Sequence, residues 1–186
     1  MKILIAACAG LLILSACDRN TGSSSTPSTP AAQQGTPAPT APMAADNAAQ
    51  NEAITWQLPP GWTQQEGSGM RMSTISPGNG VEVAVTALGG EAGGVLPNVN
   101  RWRGQLGLEP IAEADIEKNT EKIPLASGGQ VILADIVGPN PDSQRMLAAI
   151  VPGKDRTYFF KATAARDKIE QIKPGFIALL KSVKVQ

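Results

Sequence analysis

Hydrophobic and polar positions follow different rhythms along the chain. Ile3 to Leu14 is almost uninterrupted apolar sequence, preceded by Lys2 and stopped by Ser15, Asp18, Arg19 and Asn20. From Asp18 to about Glu52 no period exists: Ser23-Ser24-Ser25 and the prolines at 27, 30, 37, 39 and 42 lie among Ala and Thr, with no aromatic residue. Such a stretch cannot bury enough apolar surface to offset the entropy of ordering, so it predicts a disordered tether. All the aromatics (Trp56, Trp62, Trp102, Tyr158, Phe159, Phe160 and Phe176) come later, and residues 53–186 are predicted to form one domain with its own core.

Inside that domain, period two alternates with helical spacing. Ile54-Thr55-Trp56-Gln57-Leu58 predicts a strand, stopped by Pro59-Pro60-Gly61. Met70 and Met72 alternate with Arg71 and Ser73 in a second strand, which ends near Ser76-Pro77-Gly78-Asn79-Gly80. The clearest alternation follows: Val81, Val83, Val85 and Ala87 face one way, and Glu82, Ala84, Thr86 and Leu88 the other. Pro97-Asn98 predicts the start of a helix with Asn98 as its N-cap. Val99, Trp102 and Leu106 share one face of that helix, and Gly107 suits the left-handed position at its end. Residues 112–118 predict a short second helix. The runs 120–125 and 130–137 flank Ala126-Ser127-Gly128-Gly129, and 145–151 and 156–163 flank Pro152-Gly153-Lys154-Asp155, which predicts two hairpins. A terminal helix over 166–183 turns Ile169, Ile172, Phe176, Leu179 or Leu180, and Val183 inward. Pro174 would kink or break it and open a second segment.

Strands, helix, strands, helix, with neighbours joined mostly by turns, predict the α+β class: an antiparallel sheet with helices packed against it. The layout resembles the fold of the extrinsic photosystem II subunit PsbP and its bacterial relatives. Gly94 to Leu108 (Gly-Val-Leu-Pro-Asn-Val-Asn-Arg-Trp-Arg-Gly-Gln-Leu-Gly-Leu) is similar to a stretch in exported bacterial proteins. That resemblance implies a fold and carries no catalytic residues with it.

The amino-terminal run has the secretory layout of a positive start, an apolar core and small residues before a cysteine. It is too short for a span, which needs about 20 apolar residues. Leu14-Ser15-Ala16-Cys17 resembles the lipobox of bacterial lipoproteins. The resemblance implies a signal peptide over 1–16, diacylglyceryl transfer to the Cys17 thiol, cleavage before it and acylation of the new amino group. Residues 17–52 would then be the lipidated cysteine and its tether, with the domain facing the periplasm or the exterior. Asp18 resembles the signal that retains such proteins in the inner membrane.

Composition narrows the chemistry. The full chain holds 16 basic and 16 acidic side chains and no histidine. Loss of residues 1–16 removes one base, Lys2, and leaves a formal charge of −1, a balance unsuited to nucleic acid. With no histidine, imidazole-based nucleophile activation, acid/base catalysis and metal ligation are excluded. Cys8 leaves with the signal and Cys17 is the anchor, so no disulfide braces the domain. No nucleophile elbow, Walker loop or dinucleotide fingerprint occurs.

Three constellations remain. Arg101, Arg103 and Gln105, with Asn98 and the loop Gly89–Gly94, form the densest polar stretch on a helix and predict a contact surface for a carboxylate or phosphate. Met70, Met72 and Met146 offer thioethers suited to copper(I), although Met70 and Met72 on one strand face also suit a core. Glu113 and Glu117, with Asp115 between them, are the carboxylates a hydrolase would use, or a solvated helix face. The expected function is a membrane-anchored, non-enzymatic binding or assembly-support domain for an envelope protein partner, without a cofactor or metal. The alternatives are a small-ligand or metal carrier and a carboxylate-based hydrolase.

Overall fold

The computed structural model describes residues 54–186. The expected signal peptide over 1–16, Cys17 and the expected tether lie outside the described residues. Nine strands are described: β1 (Ile54–Thr55), β2 (Thr63–Glu66), β3 (Arg71–Gly78), β4 (Val81–Gly89), β5 (Glu121–Pro124), β6 (Gln130–Val137), β7 (Gln144–Pro152), β8 (Arg156–Ala165) and β9 (Lys184–Val185). The helices are α1 (Val95–Gln105), α2 (Ile116–Asn119), entered through a 3₁₀ turn at Glu113–Asp115, and α3 (Arg166–Lys181). Seven strands make one antiparallel sheet in the order β2-β3-β4-β8-β7-β6-β5, and β1 pairs with β9 separately. The α+β architecture is the one the strand and helix rhythms predict.

Alternation decides what each face of the sheet carries. One face presents Val81, Val83 and Val85 from β4, Tyr158 and Phe160 from β8, and Leu147, Ala149 and Val151 from β7; all are buried. The stripe Ile169, Ile172, Phe176, Leu179 and Leu180 of α3 covers them. The opposite face presents Ile132, Ala134 and Ile136 from β6, Met146, Ala148 and Ile150 from β7, and Phe159 from β8, under Val99 and Trp102 of α1. Trp102 meets Phe159 edge to face at 6.2 Å. Strands β6 to β8 are apolar on both sides because each side has its own helix. Among the described residues no helix is long and apolar enough to cross a membrane.

Four local expectations are corrected. The first strand stops at Thr55, because Trp56 turns into the core against Phe160, 5.4 Å away, and donates its indole N–H to Gln64 Oε1 at 2.9 Å. Asn98 is not a cap. The helix starts at Val95 after Gly94, and Pro97 sits in the first turn, where a missing N–H costs nothing. Met70 is 78% exposed in the turn before β3, and Met72 sits where the β3–β4 register slips, so the two do not share a strand face. Finally, α3 runs on through Pro174 without a break. Packing holds it: Phe176, Leu179 and Leu180 are buried beyond the proline, and a Cβ on Gly175 would come within 2.6 Å of the Trp62 ring.

Candidate functional site

Helix α1 is shorter than the face it packs on. It roofs β6, β7 and part of β8 and leaves the β3–β4 side of the same face open. The resulting groove, about 210 Å³, is lined by Arg71, Ala84, Thr86, Leu88, Arg101, Trp102, Phe159 and Lys161. Its floor follows from register. Thr86 lies between Arg71 of β3 and Phe159 of β8, and Ala84 is paired with Lys161. The small side chains of Ala84 and Thr86 leave the space that Trp102 and Phe159 close from the side.

Each cation arrives by a different route. Arg71 depends on a bulge: Ser73 pairs with Val85 but Arg71 pairs with Thr86, so the slip at Met72 turns Arg71 from the core face to the groove face. Re-aiming a side chain is a recurrent use of bulges. Arg71 there approaches Thr74 Oγ1 at 3.2 Å and Glu82 at 3.4 Å. Arg101 projects from α1 and donates to Asn98 Oδ1 at 2.7 Å. Asn98, 3% exposed, also donates to the carbonyls of Ala92 (2.9 Å) and Gly94 (2.6 Å), tying the preceding loop to the helix and steadying Arg101. Lys161 is the only charged residue among the groove-lining positions of β8, and its ammonium reaches Gln105 Oε1 at 3.4 Å.

Among the described residues, neither Arg101 nor Lys161 is in an ion pair; Arg71 alone of the three has a carboxylate, the exposed Glu82. Partial burial pushes the Lys161 ammonium below the ordinary lysine range, and the charges of Arg101 and Arg71 push it the same way. The groove is thus a place where positive charge is held against its own repulsion, which is the electrostatic character of an anion receptor.

Of the predicted contact residues only Arg101 lines this groove; Asn98 and Gln105 stand behind it as hydrogen-bond partners of Arg101 and Lys161, and Arg103 lies elsewhere. Its Nε donates to the Glu109 carbonyl at 2.8 Å, fastening the segment that follows α1, where Gly107 takes φ +73° and Asn100 exchanges two hydrogen bonds with Ile111. The loop Gly89–Gly94 does not line the groove. It is tied to the β7–β8 turn through Gly90 N–H to Asp155 O (3.0 Å) and Thr157 Oγ1 to Gly90 O (2.8 Å), beside a separate cavity of about 390 Å³. Arg71 and Lys161, distant in sequence, are the groove cations that sequence reasoning missed, together with the floor residues Ala84, Thr86 and Leu88 and the wall residue Phe159. The available signal was a lone lysine in the apolar run Tyr158-Phe159-Phe160-Lys161-Ala162.

The other constellations are dispersed. Met146 is buried under α1, whereas Met72 packs with the α3-side core and Met70 faces solvent. Glu113 and Glu117 line an open cavity of about 420 Å³ near α2. There Glu117 pairs with Lys122 at 3.0 Å, and Asp115 pairs with Lys118 at 3.3 Å. Among the described residues no group of three or more Asp, Glu, Cys or His side chains is placed to hold a metal ion.

A second charged cluster lies against the amino-terminal half of α3. Asp135 takes a bidentate contact from Arg145 (2.7 and 2.6 Å) and a third hydrogen bond from Lys173 at 2.8 Å, while Arg145 also pairs with Glu170. Burial raises the Asp135 carboxyl, but the hydrogen bonds and charges of Arg145 and Lys173 outweigh it and hold the group below the usual carboxylate range. Arg145 is shifted upward by the same contacts. Every charge here has its counter-charge, so the cluster is structural.

No family model matches the chain, and no curated protein does. Among solved structures it is similar to cyanobacterial PsbP (CyanoP) from Synechocystis, at 14% identity and TM-score 0.46, over 78% of this chain and 100% of that one. It is also similar to a protein from Bacteroides thetaiotaomicron (7%, TM-score 0.42, 72% of this chain and 45% of that one). A third is LpqN of Mycobacterium tuberculosis, involved in cell envelope biogenesis (13%, TM-score 0.41, 72% of this chain and 83% of that one). At these identities and scores the likenesses assign no role to the groove.

Proposed function

We propose that the protein is a membrane-anchored binding domain that supports a partner in the cell envelope and engages it through an anionic group. In this reading Cys17 carries the lipid, residues 18–52 hold the domain away from the bilayer, and the groove on the α1 face makes the contact. One observation supports it above the rest: Arg71, Arg101 and Lys161 come from three elements to one groove, and only Arg71 has a carboxylate beside it. A domain that used these charges for its own stability would pair them, as it pairs Asp135. An active site built on the carboxylates of α2 is less well supported, because Asp115 and Glu117 are engaged by lysines.

Crosslinking in the native envelope tests the reading, comparing wild type with Arg101→Ala/Lys161→Ala. Loss of a discrete crosslinked neighbour in the variant, with its melting temperature unchanged, is the expected result; an unchanged set of neighbours would reject the groove as the contact. Intact-mass analysis of membrane-extracted protein beside Cys17→Ala tests the anchor. A lipid-sized increment on residues 17–186 that the variant lacks is expected.

A further inference from the structure

The groove is more specific than a basic patch, because its cations stand over an apolar, partly aromatic floor. Ala84, Thr86 and Leu88 of β4 run along it, Phe159 and Trp102 wall it, and the three cations stand around it. Its volume of about 210 Å³ would be filled by only about seven waters at ~30 Å³ each. It therefore falls below the ~300–1,000 Å³ of pockets that take drug-sized ligands. A nucleotide, a sugar phosphate chain or a whole lipid headgroup with its backbone would lie mostly outside a groove of that volume. A strongly hydrated inorganic anion would leave the apolar floor unused.

We infer that the groove selects the end of a molecule: one terminal carboxylate, set between Arg101, Lys161 and Arg71, on a short apolar or aromatic body that lies on Ala84, Thr86 and Leu88 against Trp102 and Phe159. This inference rests on the proposed function, whose contact surface it specifies. The positions of the cations favour a single anionic head. Arg101 is steadied by Asn98, and Lys161 rests on a neutral amide 3.4 Å away that a carboxylate would displace. Arg71 would exchange its 3.4 Å contact with the exposed Glu82 for the ligand. After burial, the charges of Arg101 and Arg71 are what lower the Lys161 ammonium, and a carboxylate set among the three cations would offset that repulsion. Two sources present this chemistry: a free short-chain carboxylic acid, and the carboxyl terminus of a partner chain ending in an apolar residue.

The test is two-dimensional NMR of the full chain, read at Trp102 and Lys161, titrated with hexanoate, acetate, n-hexanol, and a short peptide ending in Leu-Phe as free acid or as amide. Hexanoate is expected to bind at least about tenfold more tightly than acetate or n-hexanol, since head and body both contribute. Lys161→Met and Arg101→Met are each expected to weaken it about tenfold or more, and Lys161→Arg to retain most of the affinity. A free-acid peptide that outbinds both its amide and hexanoate assigns the partner-terminus source. Hexanoate binding with the peptide excluded assigns the small molecule. Equal affinity for acetate and hexanoate, or hexanoate affinity unchanged by the double Arg101→Met/Lys161→Met variant, overturns the inference. If hexanoate and the free-acid peptide both fail to bind while envelope crosslinking still depends on Arg101 and Lys161, this inference falls and the proposed function stands. If the crosslinking is also insensitive to them, both fall.

Discussion

The two faces of the sheet treat charge in opposite ways. Under α3 the surface is apolar except at one end, and there Asp135 is met by Arg145 and Lys173, with Glu170 on the outer side. Under α1 the helix stops short, and Arg71, Arg101 and Lys161 gather around the opening with one exposed carboxylate among them. Folding accounts for the first cluster, because each buried charge is compensated within the molecule. It does not account for the second, where like charges are brought together at a cost in stability. In this chain, the charge left uncompensated at the edge of an apolar face is the feature on which the proposed contact surface rests.

The contrast is sharpest where the core is deepest. Phe176 is fully buried under the α3 face, so Phe176→Ala is expected to remove about 3–5 kcal/mol of stability, read as a lower urea midpoint. Next in size is Asp135→Asn, which leaves Arg145 and Lys173 facing a neutral amide. Breaking a fully buried pair costs about 3–5 kcal/mol; here the side chains are 14–32% exposed, and a loss of about 2 kcal/mol is expected by the same titration.

Acid sharpens the comparison further. The folded Asp135 carboxyl lies below its unfolded value near 3.9, so between the two the unfolded chain binds more protons and stability rises with pH. Its contribution is complete above about pH 4 and is lost as pH falls through the folded value. Urea titrations from pH 6 downward are expected to show a shallower acid slope for Asp135→Asn than for wild type.

The smallest effect belongs to the groove. Lys161→Met is expected to change stability at pH 7 by about 0–0.5 kcal/mol, in the stabilising direction, because the folded state disfavours the ammonium. That gain disappears as pH rises through the lowered lysine value, where wild type sheds the charge as well. A loss above about 1 kcal/mol on Lys161→Met would make the groove cations structural and erase the contrast between the faces.

Much of this was legible before the structure. The alternation of β4, the turns flanking β6 and β8, and the inward stripe of α3 are all properties of neighbours in sequence, and they hold in the fold. Strand β2 was not legible: Thr63-Gln64-Gln65-Glu66 lies at the sheet edge with little to bury, so it carries no apolar period. The groove was half legible. Arg101 and Gln105 share a helix and were found together. Arg71 was misplaced, because strict alternation sets it on the side of Ser73, and only the slip at Met72 reverses it. Lys161 joins them through the β4–β8 pairing, a contact between strands on either side of α1, α2 and the three intervening strands β5, β6 and β7.

The small pairing of β1 with β9 governs the order in which the molecule can be finished. Ile54, wholly buried, finds its partner only when Val185 arrives, and Gln57 meets Ser182 in the same closure. The first residues of the domain therefore wait for the last. Until that moment the stretch around Ile54 is an open seam, and a chain cut a few residues early would leave it open beside the larger of the two described core clusters.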